Sequence, residues 1–130
     1  MQTYENYLEN KDHLSFADAV KIYDAINSYS KFHDADFDEL FMEAIVAANQ
    51  YANIRANWSI ASPAEKRAVD QKRTEHHNAF MSALQILTRY MEQQGWNTDL
   101  VNSLGTPQAN RKRFGDFACY LVCINAINAR

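Results

Sequence analysis

The longest regular pattern of hydrophobic and polar positions lies between Ser62 and Gly95. One face repeats at spacings of three and four residues and consists of Val69, Arg73, His76, Phe80, Leu84, Leu87 and Met91. This spacing predicts a single long helix that buries one side and carries two basic residues on it. Ser62, followed three residues later by Glu65, predicts the start of the helix, and Gly95 predicts its end.

Capping residues predict three further main helices. One runs from Ser15 to about residue 32, a second from Asp36 to Trp58, and a last one from Thr106-Pro107 to the C-terminal end of the chain. The last helix is apolar on nearly every side, which is typical of a helix in the middle of a bundle or at a subunit interface. We therefore expect the long helix and the last helix to form the inner layer.

Two shorter segments complete the pattern. Asn97 predicts the start of a short helix that Gly105 ends, between the third and fourth main helices. Residues 1–14 are mostly polar, and they are expected to form either a frayed arm or a short docking helix. The predicted fold class is therefore all-α: an antiparallel bundle of four main helices with a short extra helix, in a single domain spanning residues 1–130.

The composition is that of an ordinary folded domain, and it bears on the expected location and partners of the protein. Hydrophobic residues make up 47% and charged residues 22% of the 130 residues, which argues against intrinsic disorder. No signal-like or membrane-spanning segment is visible, so a cytoplasmic location without membrane association is expected. The formal net charge of −3 is not that of a typical nucleic-acid-binding protein, and no nucleic-acid partner is expected.

Charge is unevenly distributed between the two halves of the chain. Residues 1–62 carry ten acidic against four Lys or Arg residues, and residues 63–130 carry six against nine. The simplest interpretation is attraction between early and late helices within one bundle; orientation of a charged partner is the alternative.

The clearest candidate for chemistry is the start of the last helix, where Arg111, Lys112 and Arg113 are consecutive. A helix N-terminus already favours anions and disfavours cations, so three cations there are locally unfavourable. Together with the exposed amide groups they could form a phosphate or carboxylate site. The structural alternative is that Asp116, one turn later, neutralises part of the cluster.

Asp116 is a second candidate because it lies within an apolar run. If Asp116 is buried its carboxylate must be paired, and Arg73 and His76 on the long helix could be its partners. Such a cluster could serve in acid–base chemistry. The alternatives are a structural polar network and a solvent-exposed Asp116 beside Lys112.

No metal site or cofactor is expected. His76 and His77 are adjacent and therefore poorly placed to chelate one ion, and Cys119 and Cys123 have no ligand partners at suitable spacing. The two cysteines are interpreted as reduced core thiols. Glycine-rich phosphate loops, zinc-protease motifs and nucleophile elbows are absent from the sequence, so a catalytic role is not favoured.

Three hypotheses about function follow. The first is a non-catalytic protein-interaction or regulatory module, including a homodimer formed through the apolar last helix. The second is a binding domain or enzyme for an anionic small molecule, using Arg73, His76 and the Arg111–Asp116 region. The third is an immunity-type protein: the predicted architecture resembles that of bacteriocin-immunity proteins, and this resemblance implies such a function on architecture alone.

Overall fold

A computed structural model describes residues 13–58, 60–106 and 108–128. Over these residues the chain forms five α-helices and no strand, so the predicted all-α bundle is confirmed. The helices are α1 (Phe16–Asn27), α2 (Ala35–Trp58), α3 (Pro63–Gln93), α4 (Asp99–Asn102) and α5 (Arg111–Asn128), with a 3₁₀ helix at Ser28–Phe32. The prediction for residues 1–14 falls almost entirely outside the described part of the chain.

The ends of α3 follow the sequence prediction. The Ser62 hydroxyl accepts a hydrogen bond from the Glu65 backbone N–H, and the Glu65 carboxylate accepts one from the Ser62 backbone N–H. Pro63 occupies the first turn, where its missing N–H costs nothing. Gly95 adopts a φ of 78°, the left-handed conformation that ends a helix without a steric penalty.

Two predicted helix starts were wrong. The side chain that caps α2 is Asp34 rather than Asp36, because its carboxylate accepts the N–H groups of Asp36 and Phe37. The last helix begins at Arg111 rather than at Thr106-Pro107. Before it the chain makes a separate turn, in which the Asn110 side-chain oxygen accepts the Thr106 N–H at 3.0 Å.

The helix at the centre of the packing is α2. Buried alanines along it, including Ala44, Ala47 and Ala48, allow neighbouring helices to approach closely. It runs antiparallel to α3, because Trp58 contacts Arg73 and Tyr51 contacts His77. In the same reverse order, Phe37 near the start of α2 contacts Trp96, which follows the end of α3.

The expected inner layer of α3 and α5 needs correction. Helix α5 packs mainly against α2 and α1, and it meets α3 at few positions. One of these is the ring contact between Phe80 and Phe117, whose centroids lie 6.2 Å apart. Cys123 on α5 is exposed and Cys119 is half-buried, so Cys123 is not a core thiol. None of the described helices is both long and apolar enough to cross a bilayer.

Candidate functional site

A cleft of about 320 Å³ opens where α2, α3 and α5 meet. None of the described side chains that line it is acidic, and four of them are Lys or Arg. The lining residues are His13, Tyr51, Arg55, Arg73, Thr74, His77, Arg111 and Lys112. This is the strongest concentration of like charge that the described cavities contain.

Helical periodicity explains why these residues share one cleft. Tyr51 and Arg55 are four residues apart and lie on the same face of α2. Arg73 and His77 have the same spacing on α3, so they share one face of that helix. The pair on α2 and the pair on α3 therefore face each other across the cleft. The first turn of α5 closes the cleft on its third side.

Asp116 lies behind the cleft and binds two of the residues that line it. Its carboxylate is 7% exposed and accepts a hydrogen bond from Arg55 Nη2 at 2.9 Å. Its other oxygen accepts the Leu14 backbone N–H at 3.1 Å and lies 3.3 Å from His13 Nδ1. Burial is the largest influence on Arg55 and works against its charge, but the hydrogen bond to Asp116 and the electrostatic attraction of Cys119, Tyr51 and Asp116 together outweigh it and raise the pKa of the guanidinium. Asp116 therefore anchors Arg55 and His13 at the cleft.

Gly115 makes the close approach of α2 and α5 possible. A Cβ atom on this residue would lie 2.9 Å from the Tyr51 hydroxyl and 3.3 Å from Arg55 Nη1. Only the missing side chain leaves room for both groups against α5. A small residue is therefore required at this position for Tyr51 and Arg55 to line the cleft together.

His77 is buried and has a fixed orientation. Its Nε2 atom lies 2.9 Å from the Arg111 carbonyl oxygen, and its ring packs edge-on against Tyr51 at a centroid distance of 5.0 Å. Burial lowers the pKa of His77, and the nearby Arg111, Arg73 and Arg55 lower it further despite the hydrogen bond to the carbonyl. The ring is therefore neutral near pH 7 and donates its Nε2–H to Arg111.

Arg73 is held by its surroundings but keeps unused donor capacity. Its guanidinium stacks over the Trp58 ring, 4.3 Å from the centroid. Nη2 lies 3.6 Å from the exposed Asp70 carboxylate, a distance at which an ion pair contributes little. The buried Nε has no hydrogen-bond partner in the described structure.

Arg111 and Lys112 carry charge that no carboxylate of the described residues balances. Neither forms an ion pair with the residues that the structure describes, and Arg111 instead donates to the Asn78 amide oxygen at 3.3 Å. Both belong to the first turn of α5, where the helix dipole adds further positive potential. The mouth of the cleft is therefore the place where an anion would gain most.

The structure brings together part of the predicted set and separates the rest. Arg73, Arg111 and Lys112 line one cleft. Arg113 turns away and donates to the backbone carbonyls of His13 and Ser103, each at 3.2 Å, which is a structural role.

The expected partners of Asp116 also need correction. Asp116 is buried and paired, which is one of the alternatives that the sequence left open, but its partners are Arg55 and His13 instead of Arg73 or His76. The cleft histidine is His77, and His76 does not line it. His76 and His77 are adjacent and therefore point to different sides of α3. The packing of α3 against α2 determines that His77, and not His76, lines the cleft.

Sequence reasoning missed five residues of the cleft: His13, Tyr51, Arg55, Thr74 and His77. A signal for two of them was present, because Arg55 follows Tyr51 of the predicted hydrophobic face by one helical turn. His13, in contrast, lies before the first predicted helix, and nothing in the local sequence connects it with Asp116. In the described part of the chain, no three His, Cys, Asp or Glu residues group closely enough to hold a metal ion.

The fold and the cleft together define a class: an all-α bundle whose helices enclose a cationic cleft. No protein-family model, curated protein or solved structure matches the chain.

Proposed function

We propose that this protein binds a small anionic molecule, bearing a phosphate or carboxylate group, in the cleft between α2, α3 and α5. The observation that carries the proposal is the set of four Lys and Arg side chains around a cleft with no acidic residue among its described lining. Isolated like charges repel one another, and a bound anion removes that repulsion.

The balance of charge favours an anion at the mouth of the cleft over one at its back wall. Arg55 is already matched by Asp116, so it contributes shape and hydrogen-bond donors more than net charge. Arg111 and Lys112 have no acidic partner among the described residues, and they extend from a helix N-terminus. An anion there would gain from both side chains and from the helix dipole.

The size of the cleft suits a small molecule. Its volume of about 320 Å³ lies at the lower end of the range for small-molecule sites, about 300–1,000 Å³. Planar guanidinium groups such as those of Arg73 and Arg111 can bind phosphate or carboxylate oxygens in pairs. The Tyr51 ring and the Trp58 ring beneath Arg73 add apolar area nearby.

A thermal-shift screen of the whole chain against inorganic phosphate, phosphate esters and dicarboxylic acids tests the proposal. A ligand present at a hundred times its dissociation constant adds about 2.7 kcal/mol to the free energy of unfolding. For a chain of 130 residues this corresponds to a rise in Tm of about 10 °C. Sodium chloride at equal ionic strength is the reference, because it screens charge without occupying a specific site.

Variants separate specific binding from a general effect of charge. Arg111→Gln and Lys112→Gln each remove one cation from the cleft, and each should abolish most of the shift. Arg67→Gln is the matched control, because Arg67 is exposed on α3 and does not line the cleft. If no anion shifts Tm, or if all three variants respond alike, the proposed binding site is wrong.

Self-association through the last helix has less support. Five apolar residues of α5 are buried inside the chain: Phe114, Phe117, Ala118, Leu121 and Ile124. The apolar residues of this helix that are exposed are Cys123, Ala126 and Ile127. A homodimer, a regulatory protein partner and an immunity-type role remain predictions from the sequence.

A further inference from the structure

The hydrogen bonding of His77 leaves one buried ring nitrogen without a hydrogen-bond partner. A carbonyl oxygen can only accept, so the contact with Arg111 at 2.9 Å places the hydrogen of the neutral ring on Nε2. Nδ1 then carries only a lone pair. It is buried, like the rest of His77, which is 7% exposed, and it has no hydrogen-bond partner in the described structure. A buried polar atom without a partner costs free energy unless something bound satisfies it.

The groups around His77 explain why Nδ1 carries no proton in the empty cleft. They are Tyr51 and Arg55 of α2, Arg73 of α3, Arg111 and Lys112 of α5, and His13 before α1. Burial raises the pKa of Tyr51, so the phenol stays neutral and offers no negative charge. Arg55, Arg73, Arg111 and Lys112 are cations, and none of the described residues that line the cleft is acidic. These neighbours therefore oppose a proton on Nδ1 until an anion enters.

We infer that the cleft binds its anion together with one proton, which is shared between an oxygen of the anion and Nδ1 of His77. This inference rests on the proposed anion binding and adds its coupling to pH. An anion that is fully ionised near neutral pH, such as sulfate, must draw that proton from solution onto Nδ1. A phosphate group, whose second pKa is about 6 in a monoester, can bring the proton with it. The cleft should therefore bind phosphate in preference to sulfate, although both are tetrahedral oxyanions.

Isothermal titration calorimetry of the full chain with inorganic sulfate and inorganic phosphate tests the coupling. Repeating each titration in buffers of different ionisation enthalpy counts the protons taken up. Sulfate should take up about one proton per anion, and its affinity should fall about tenfold per pH unit above neutrality. Phosphate should bind more tightly than sulfate at neutral pH and take up fewer protons.

His77→Gln isolates the contribution of the imidazole. The glutamine amide can still donate to the Arg111 carbonyl, but it does not titrate. This variant should lose the proton uptake with sulfate and most of the preference for phosphate. His76→Gln is the matched control, because His76 is the adjacent residue and does not line the cleft; it should behave as the wild type. His13 is unchanged in both variants, so the difference between them reports on His77 alone.

The outcomes distinguish this inference from the proposed function. If wild-type protein binds sulfate without net proton uptake, or if His77→Gln keeps the uptake, the proton coupling is wrong and the anion site stands. If neither anion binds, the proposed site itself is wrong. Should His77→Gln fail to fold, long-range ¹H–¹⁵N spectra of the wild-type imidazole decide. A proton appearing on Nδ1 with sulfate supports the coupling, and an unprotonated Nδ1 in the sulfate complex overturns it.

Discussion

At the scale of single residues, Asp116 shows how a buried carboxylate can stabilise a fold only through its partners. The Arg55 guanidinium, the Leu14 backbone N–H and the His13 ring all lie within 3.3 Å of its oxygens. These contacts connect α5 with α2 and with the residues before α1. Removing one partner leaves the others buried without their hydrogen bonds, which costs more than the net contribution of the pair.

Asp116→Ala should lower the free energy of unfolding by about 2–4 kcal/mol. The lower end of this range of destabilisation applies if water partly replaces the lost partner of Arg55, whose side chain is 36% exposed. In urea unfolding experiments, the double variant Asp116→Ala with Arg55→Ala should cost less than the sum of the two single variants. Additive effects would mean that the ion pair contributes no coupling.

At the scale of elements, the first turn of α5 combines two opposing demands. Three consecutive cations, Arg111–Arg113, occupy the end of the helix where the dipole disfavours positive charge. Arg113 uses its charge to hold two backbone carbonyls. Arg111 and Lys112 have no comparable structural role, and their cost in stability is consistent with a binding function.

Lys112→Gln should therefore raise the stability of the anion-free protein by about 0.3–1 kcal/mol at low ionic strength, while weakening anion binding. Arg113→Gln on the same turn is the matched control, and it should lower the stability by about 1 kcal/mol or more because two carbonyl contacts are lost. Urea unfolding in a buffer free of phosphate and sulfate measures both. A loss of stability in Lys112→Gln would contradict this account of the helix start.

Gly115→Ala probes the contact between α2 and α5. The added Cβ would lie 2.9 Å from the Tyr51 hydroxyl, so the two helices must separate or Tyr51 must move. We expect a loss of about 1–3 kcal/mol and a weaker thermal shift with phosphate.

The control for this prediction is Gly95→Ala. Gly95 has a positive φ and no atom within 4 Å of an added Cβ, so this variant strains the backbone at a distance from the cleft. It should lose stability without losing the phosphate response. Equal loss of the response in both variants would indicate that destabilisation alone is responsible.

At the scale of the whole molecule, a hydrogen bond between Tyr90 and Asp34 connects the end of α3 to the start of α2. The Tyr90 hydroxyl donates to the Asp34 carboxylate, which also caps α2. This hydrogen bond lowers the pKa of Asp34 and raises the pKa of Tyr90 to about 12. Asp34 is therefore bound more tightly as a carboxylate than as a neutral acid.

Tyr90→Phe should reveal this linkage in the dependence of stability on pH. Because the folded protein holds the pKa of Asp34 below its ordinary value of 3.8, the stabilisation is present above that value and is lost as the pH falls below it. The difference in free energy of unfolding between wild type and Tyr90→Phe should shrink as the pH falls from about 5 to about 3. A difference that grows on acidification would contradict the assignment.

The local sequence determined the helices and several of their ends, because caps, glycines and periodicity act within a few residues. Ser62 with Glu65 and Gly95 are examples, since their signals are contacts along the same stretch of chain. The basic cluster before Asp116 was visible for the same reason, and the requirement that Asp116 be paired if it is buried followed from the cost of an isolated charge.

Only the tertiary structure decided which residues share the cleft. The choice of His77 over His76, and of Arg55 over Arg73 as the partner of Asp116, depends on the rotation of each helix about its axis. That rotation is set by how α2, α3 and α5 pack, and one residue of difference turns a side chain by about 100°. The sequence alone therefore predicts the direction of the apolar face of a helix only to within about one residue. A binding site depends on which individual side chains meet across the interface between helices.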